Sequence, residues 1–206
     1  MRIAVPRGAL FKDALDVLER LGIDTAEVRS NDRKLLFEES GLITMRPSDV
    51  PTYVESGAAD IGIVGKDVLA EHPERNVYEL LDLGFGRCRM VFATVDGEDP
   101  AAEALRRLGI MRIATKYPNI AHHYFESTGR QVEIVEVKGS VELAPLTGMV
   151  DGIVDLTATG TTLRENGLVI REEISVATAR LIANPVSYRV KAAEIDAVVE
   201  TLRGAG

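Results

Sequence analysis

Cysteine is almost absent: the 206-residue chain has one, Cys88. A lone thiol excludes an intrachain disulfide, and no Cys/His grouping has zinc-ligand spacing, so the composition fits a reducing compartment. Cys88 itself reads as a small buried apolar residue. Long hydrophobic runs are also missing, none approaching the ~18 residues of a membrane span. The start, MRIAVPRGAL, turns strand-like at Arg2 and has neither the apolar core nor the cleavage site of a secretory signal. A cytoplasmic protein is expected. Positive charge is in deficit, with a net charge of -8, which excludes a general nucleic-acid or anionic-membrane surface. Any polyanionic ligand must therefore be held by a local site. Internal repeats and low-complexity segments are lacking too.

What is present is an alternation of short β-rich runs with helical spacing. Arg2 to Val5 reads as a strand; Leu10, Phe11, Ala14, Leu15, Leu18 and Leu21 then recur at helical intervals until Gly22. Lys34 to Phe37 and Leu42 to Met45 read as a hairpin or sheet-edge pair. RPSDVPTYVESGAAD opens a helix with Ser48 as its cap and Pro51 in its first turn, and DIGIVG follows as a strand. Leu80 to Phe85 and Arg89 to Thr94 read as long strands joined by a glycine-containing bend. With the polar DGEDP after them, this stretch is where the chain is expected to cross between lobes.

A second series follows: strand Arg112 to Thr115, helix Ile120 to Ser127, strand Val132 to Val137, helix Val141 to Leu146 and strand Gly152 to Leu156. SVATARLIANPVSY reads as a strand and KAAEIDAVVETLRG as a final amphipathic helix. Alternating units predict largely parallel, helix-covered sheets, and two series of them predict an α/β protein of two lobes with a cleft. The first lobe is expected to comprise residues 1–90 plus 178–206, and the second residues 91–177.

Chemistry concentrates in VDLTATGTTL, Val154 to Leu163. Asp155 falls at the carboxyl end of a strand, where open α/β folds bind ligands, and Leu163 to Asn166 starts a short helix whose first N–H groups suit an anion. Gly160 permits close backbone approach, while Thr157, Thr159, Thr161 and Thr162 can donate to phosphate oxygens. Asp155 would repel phosphate, so its partner is a sugar hydroxyl or a magnesium ion. A phosphoribosyl group combines these features. A helix-capping Thr-rich turn is the plain structural alternative.

The segment KGSVELAPLTGMVDGIVDLTATGTTLRENGL, Lys138 to Leu168, resembles the phosphoribosyl-pyrophosphate segment of the ATP phosphoribosyltransferases, which open histidine biosynthesis. GAADIGIVGKDVL, ELLDLGFGRCRM and IATKYPNIAHHYF resemble other stretches of that family in the same order. The resemblance spans nearly the whole chain. It implies a type II periplasmic-binding-protein fold, with the active site between lobes, and a reaction in which N1 of ATP attacks C1 of phosphoribosyl pyrophosphate and displaces pyrophosphate with the help of Mg2+. The chain's end at Gly206 resembles the short form. That form implies a homodimeric catalytic core and a hetero-oligomer with a partner resembling histidyl-tRNA synthetase, which supplies histidine feedback.

Carried over by position, the resemblance assigns Glu142, Asp155, Thr157, Ala158, Thr159, Gly160, Thr161 and Thr162 to phosphoribosyl pyrophosphate. Arg7 and Gly8 match the family's first strand-to-helix turn, and Arg33 and Arg46 match basic positions facing ATP and pyrophosphate. Arg7, Arg33 and Arg46 are thus the catalytic candidates, suited to charge developing on a leaving group. Arg7, Gly8, Arg46, Gly65 and Asp67 are the ATP-binding candidates. The family turn often reads Lys, Gly, Arg; here Ala9 follows Gly8, so either Arg7 or a neighbour substitutes or Arg33 carries more of the load. Without the resemblance, scattered arginines read as solvated surface groups and GIVGKD as a tight turn.

His122 and His123, adjacent on a helix, point about 100° apart and cannot act as a paired acid/base site. Tyr117 and Asn119 are further candidates for the second lobe's site. Two rivals share parts of this pattern. A bilobal small-molecule-binding protein would normally carry an export signal, and a nucleobase-salvage phosphoribosyltransferase usually has two adjacent acidic residues ahead of its loop, where this chain has Val154 and Asp155.

Overall fold

Two sheets organise the chain, and the reason is visible in how apolar residues alternate along each strand. The computed structural model describes residues 1–204; Ala205 and Gly206, the last two residues of the expected first lobe, lie outside the described residues. The first compact unit comprises Met1–Gly86 and Thr178–Gly206, and the second Arg87–Ala177.

In the first unit the chain runs β1 (Ile3–Pro6), α1 (Phe11–Arg20), α2 (Ala26–Ser30), β2 (Leu36–Phe37), β3 (Leu42–Met45), α3 (Val50–Glu55), β4 (Ile61–Gly65), α4 (Lys66–Glu71) and β5 (Tyr78–Asp82). The second unit contains β6 (Cys88–Val95), α5 (Pro100–Leu108), β7 (Met111–Thr115), α6 (Pro118–Ser127), β8 (Val132–Glu136), α7 (Leu143–Leu146), β9 (Gly152–Thr157), α8 (Thr161–Glu165) and β10 (Leu168–Ala177). The chain then returns to the first unit as β11 (Ala179–Ala183), α9 (Pro185–Val190) and α10 (Ala192–Arg203).

The first sheet has the order β2-β3-β1-β4-β11-β5, and the second β10-β6-β9-β7-β8. Only part of each is parallel, the middle of the first sheet and one end of the second. Strands β3, β1 and β4 run together, as do β9, β7 and β8, whereas β2, β11, β5, β6 and β10 pair antiparallel. The expectation of largely parallel sheets is corrected accordingly: β6 and β11, each entered from the other unit, and the hairpin strand β2 run against the rest of their sheets.

Both faces of each sheet are covered, so alternate residues feed two cores. In the first unit Ile3 and Val5 pack with Leu15 and Leu18 of α1 and Ile195 of α10, while Ala4 packs on the other face with Val50 and Val54 of α3. In the second unit Val154 packs with Ala101, Ala121 and Phe125 of α5 and α6, while Ile153 packs with Val141, Ala144 and Leu163 around α7 and α8. Full burial of these side chains at about 25 cal/mol per Å² is the main force holding the helices to the sheets.

Several local expectations change. The chain passes from the first unit to the second at Gly86–Arg87, ahead of DGEDP, which lies within the second unit between β6 and α5. Ser48 does not cap α3, because Pro47–Asp49 form a 3-10 turn first and the Ser48 hydroxyl meets Asp49. SVATARLIANPVSY is the end of β10, all of β11 and most of α9, not one strand. Cys88 is half-buried, near the Ala177 carbonyl at 4.0 Å. His122 and His123 are exposed on α6.

Candidate functional site

Ligand-binding residues in open α/β units gather where parallel strands end. In the second unit those ends are Thr115 on β7, Glu136 on β8 and Thr157 on β9. Strand pairing sets Ala114 beside Ile153 and Thr115 beside Val154. One residue further on, the same register sets Lys116 abreast of Asp155, on the face where Ala114 and Ile153 are buried.

Asp155 is 7% exposed, and the Lys116 ammonium stands 3.8 Å from its Oδ1. That distance is too long for a hydrogen bond, so the pair is electrostatic and the carboxylate oxygen keeps its accepting capacity. Burial lifts the Asp155 carboxyl above its usual range; a backbone N–H at Leu156 and the charge of Lys116 pull it down, and the nearby Glu142 pushes it up. Glu142 itself is half-buried and immediately precedes α7. Lys116 carries a basic group into the candidate site that reading along the sequence had not singled out. Its adjacency to Asp155 arises from strand register, which sequence spacing does not reveal.

The hydroxyl-rich loop is organised by its own side chains. The Gly160 N–H donates to Thr157 Oγ1 at 2.8 Å, the Thr161 N–H donates to Thr159 Oγ1 at 3.3 Å, and the two hydroxyls of Thr159 and Thr161 are 2.9 Å apart. Gly160 has φ 75°, the left-handed region that favours glycine. Arg164 donates to the Thr159 carbonyl at 3.3 Å and to Thr161 Oγ1 at 3.1 Å. The helix after the loop begins at Thr161, earlier than the expected Leu163, and is only five residues long. Its contribution is therefore local: among the described residues the Thr162 and Leu163 N–H groups make no hydrogen bond. Ala158 and Thr162 are exposed.

The first unit gathers its candidates in the same way. Arg7 and Gly8 follow β1, Arg46 follows β3, and Gly65 ends β4, three parallel strands. Arg7 and Arg46 line a depression of about 650 Å³ with Thr44, Asp49 and Tyr53. Arg7 is already engaged, donating to Asp32 Oδ1 at 2.9 Å and to the carbonyls of Asn31 and Lys34 at 3.2 Å each. Its guanidinium also stacks on Phe11 at 4.6 Å. It thereby pins the loop that carries Arg33, whose exposed side chain makes no hydrogen bond or ion pair among the described residues.

Gly8 is exposed at φ 90°. Gly65 has ordinary backbone angles but no room for a Cβ, which would lie 2.1 Å from Asp67 Oδ1. The Asp67 carboxylate is thus folded over the glycine at the start of α4. Arg7 and Arg46 share one depression, while Gly65 and Asp67 belong to the neighbouring strand end.

Among the described residues no group of three or more His, Cys, Asp or Glu side chains could cage a metal, and no helix is long and apolar enough to cross a membrane.

The family profile described as HisG, ATP phosphoribosyltransferase, matches residues 46–204. An ATP phosphoribosyltransferase of Rubrobacter xylanophilus is 56% identical over 95% of this chain and 91% of its own length. One from Bacillus licheniformis is 48% identical over 98% of this chain and 93% of its own. A chain of the ATP phosphoribosyl transferase (HisG:HisZ) complex from Thermotoga maritima superposes with a TM-score of 0.83 at 38% identity, covering 99% of this chain and 97% of that one.

More distant likenesses concern the fold alone. The Bordetella pertussis BvgS VFT2 domain gives a TM-score of 0.63 at 15% identity over 98% of this chain and 85% of that one. The periplasmic aliphatic sulphonate binding protein SsuA from Escherichia coli gives 0.62 at 13% over 100% and 72%. Both fit a two-lobed α/β fold of the type II periplasmic-binding-protein kind. Matched over nearly its whole length in sequence and in structure, the chain belongs to the ATP phosphoribosyltransferase family.

Proposed function

We propose that the second unit holds phosphoribosyl pyrophosphate, with Asp155 accepting hydrogen bonds from the ribose hydroxyls and Thr157 to Thr162 surrounding the 5-phosphate. The family's reaction joins C1 of the ribose to N1 of ATP: the N1 lone pair forms the new bond, and the C1–O bond pair leaves with pyrophosphate. It is the first step of histidine biosynthesis. The observation that carries the assignment is the buried Asp155 at the end of β9, directly ahead of a loop rich in hydroxyls and free N–H groups.

In the first unit, Arg46, Gly8, Gly65 and Asp67 are assigned to the ATP side. Arg33 meets the charge that develops on pyrophosphate, and Arg7 acts through it by holding the Asn31–Lys34 loop. Enzymes of this family work with a divalent metal. Magnesium suits the donors present: it prefers substrate phosphates, water and few protein carboxylates, and no protein cage occurs among the described residues. It is assigned as part of the substrate, bound to pyrophosphate, where it neutralises the leaving group. A homodimeric core, assembly with a HisZ-type partner related to histidyl-tRNA synthetase, and a cytoplasmic location complete the proposal. The Thermotoga maritima complex supports the partner.

Purified protein incubated with ATP, phosphoribosyl pyrophosphate and Mg2+, alone and with such a partner, should accumulate the absorbance of phosphoribosyl-ATP. Turnover of a free nucleobase in place of ATP would overturn the assignment in favour of a salvage enzyme.

A further inference from the structure

Asp155 sits in an unusual position for a carboxylate that must accept hydrogen bonds. It is 7% exposed, and a buried carboxylate without a partner favours its neutral form. The groups that face it are few. Across the antiparallel partner, β6 places the apolar Val91 beside it, and nearby Arg89 is engaged by Glu173 at 3.3 Å. From the α7 side comes Glu142, a like charge. Arg164 of α8 is turned to Thr159 and Thr161. Lys116, at the end of β7, is the cation within ion-pair distance, 3.8 Å from Oδ1.

Two features suit Lys116 to service rather than to packing. Its side chain is 40% exposed, so removing it opens no core cavity. The gap to Asp155 leaves the carboxylate lone pairs open to another donor. We propose that Lys116 is a positioning residue of the phosphoribosyl site, the counter-charge that holds Asp155 as an acceptor for the ribose hydroxyls. The proposal rests on the assignment of Asp155 to the ribose.

Removing the ammonium leaves only the Leu156 backbone N–H to oppose burial and Glu142, and the balance moves toward the protonated carboxyl, which donates where the ribose also donates. The acid limb of kcat/KM for phosphoribosyl pyrophosphate should therefore move to higher pH in Lys116→Met, by about one pH unit. On that limb the loss is about tenfold, and it fades on the alkaline plateau. Lys116→Arg should restore the wild-type limb, and kcat/KM for ATP at saturating phosphoribosyl pyrophosphate should stay within about twofold. In an Asp155→Asn background, which has no carboxylate to hold, Lys116→Met should cost little more, the signature of coupled residues.

A uniform loss at every pH, or a full further loss in the Asp155→Asn background, would place Lys116 on the substrate itself. That result overturns the proposal and leaves the ribose assignment standing. An unaltered KM for phosphoribosyl pyrophosphate in Asp155→Asn alone removes the ribose assignment instead, so the two failures are distinguishable.

Discussion

At the scale of the residue, function and stability pull Asp155 in opposite directions. Burial raises its carboxyl above the ordinary value, so the folded chain binds that proton more tightly than the unfolded chain does. Stability then falls as pH rises from the unfolded value, about 3.9, through the folded one. Asp155→Asn is expected to raise KM for phosphoribosyl pyrophosphate about ten- to a hundredfold, the scale of hydrogen bonds to a charged acceptor. The same change should raise Tm at pH 7, by about 2 to 4 °C for each kcal/mol relieved, with no gain below about pH 3.9. Calorimetry across pH checks the second half; a Tm lowered at pH 7 would mean that Lys116 more than offsets the burial. Arg33→Ala should behave differently. Its side chain is exposed and unpartnered among the described residues, so Tm should hold while kcat falls on the order of a hundredfold, as for a group acting on developing charge. A raised KM for ATP at unchanged kcat would make Arg33 a ground-state binder.

At the scale of the element, legibility followed the locality of the signal. Strand β9 and its loop were readable because the apolar run, the carboxylate and the hydroxyls are consecutive. Strand β10 was missed: LVIREEISVA has charges in its middle, and two register irregularities, between Ile170 and Glu172 and between Glu173 and Ser175, break the period of two. Helix α9 carried a signal that went unread, since Asn184 ahead of Pro185 is a start motif, and Asn184 Oδ1 accepts from the N–H groups of Val186 and Ser187. The Lys116–Asp155 pair was not legible at all, because strand register rather than spacing creates it. Packing of α3 on β4 gives an element-scale prediction. A Cβ at Gly62 would lie 2.8 Å from Val54 Cγ2 and 2.9 Å from Val50 Cγ1, which wedges the helix off the strand. Gly62→Ala should destabilise the fold by about 1–3 kcal/mol in denaturant titration, with kcat of the folded fraction nearly intact. Unchanged stability would show that α3 shifts freely.

At the scale of the whole molecule, the net charge of -8 sets the problem that the two units solve. Both substrates are polyanions, so the chain must hold them through local groups against its own average field. The proposed sites divide the substrates between them, with the phosphoribosyl group at strand ends of the second unit and ATP at strand ends of the first. Each unit has its own sheet and its own pair of cores, so ligand protection can be read unit by unit. Binding stabilises the conformations that hold the ligand, and loops at strand ends, with few buried contacts, exchange their amide protons through local openings. Phosphoribosyl pyrophosphate with Mg2+ alone should therefore slow hydrogen exchange at residues 155–163 and 116–119, leaving residues 7–11, 46–50 and 65–69 nearly unchanged. ATP alone should give the converse pattern. Mass spectrometry of peptides from the two incubations resolves these segments. Protection by phosphoribosyl pyrophosphate confined to the first unit would reverse the division of substrates, and with it the assignment of Asp155.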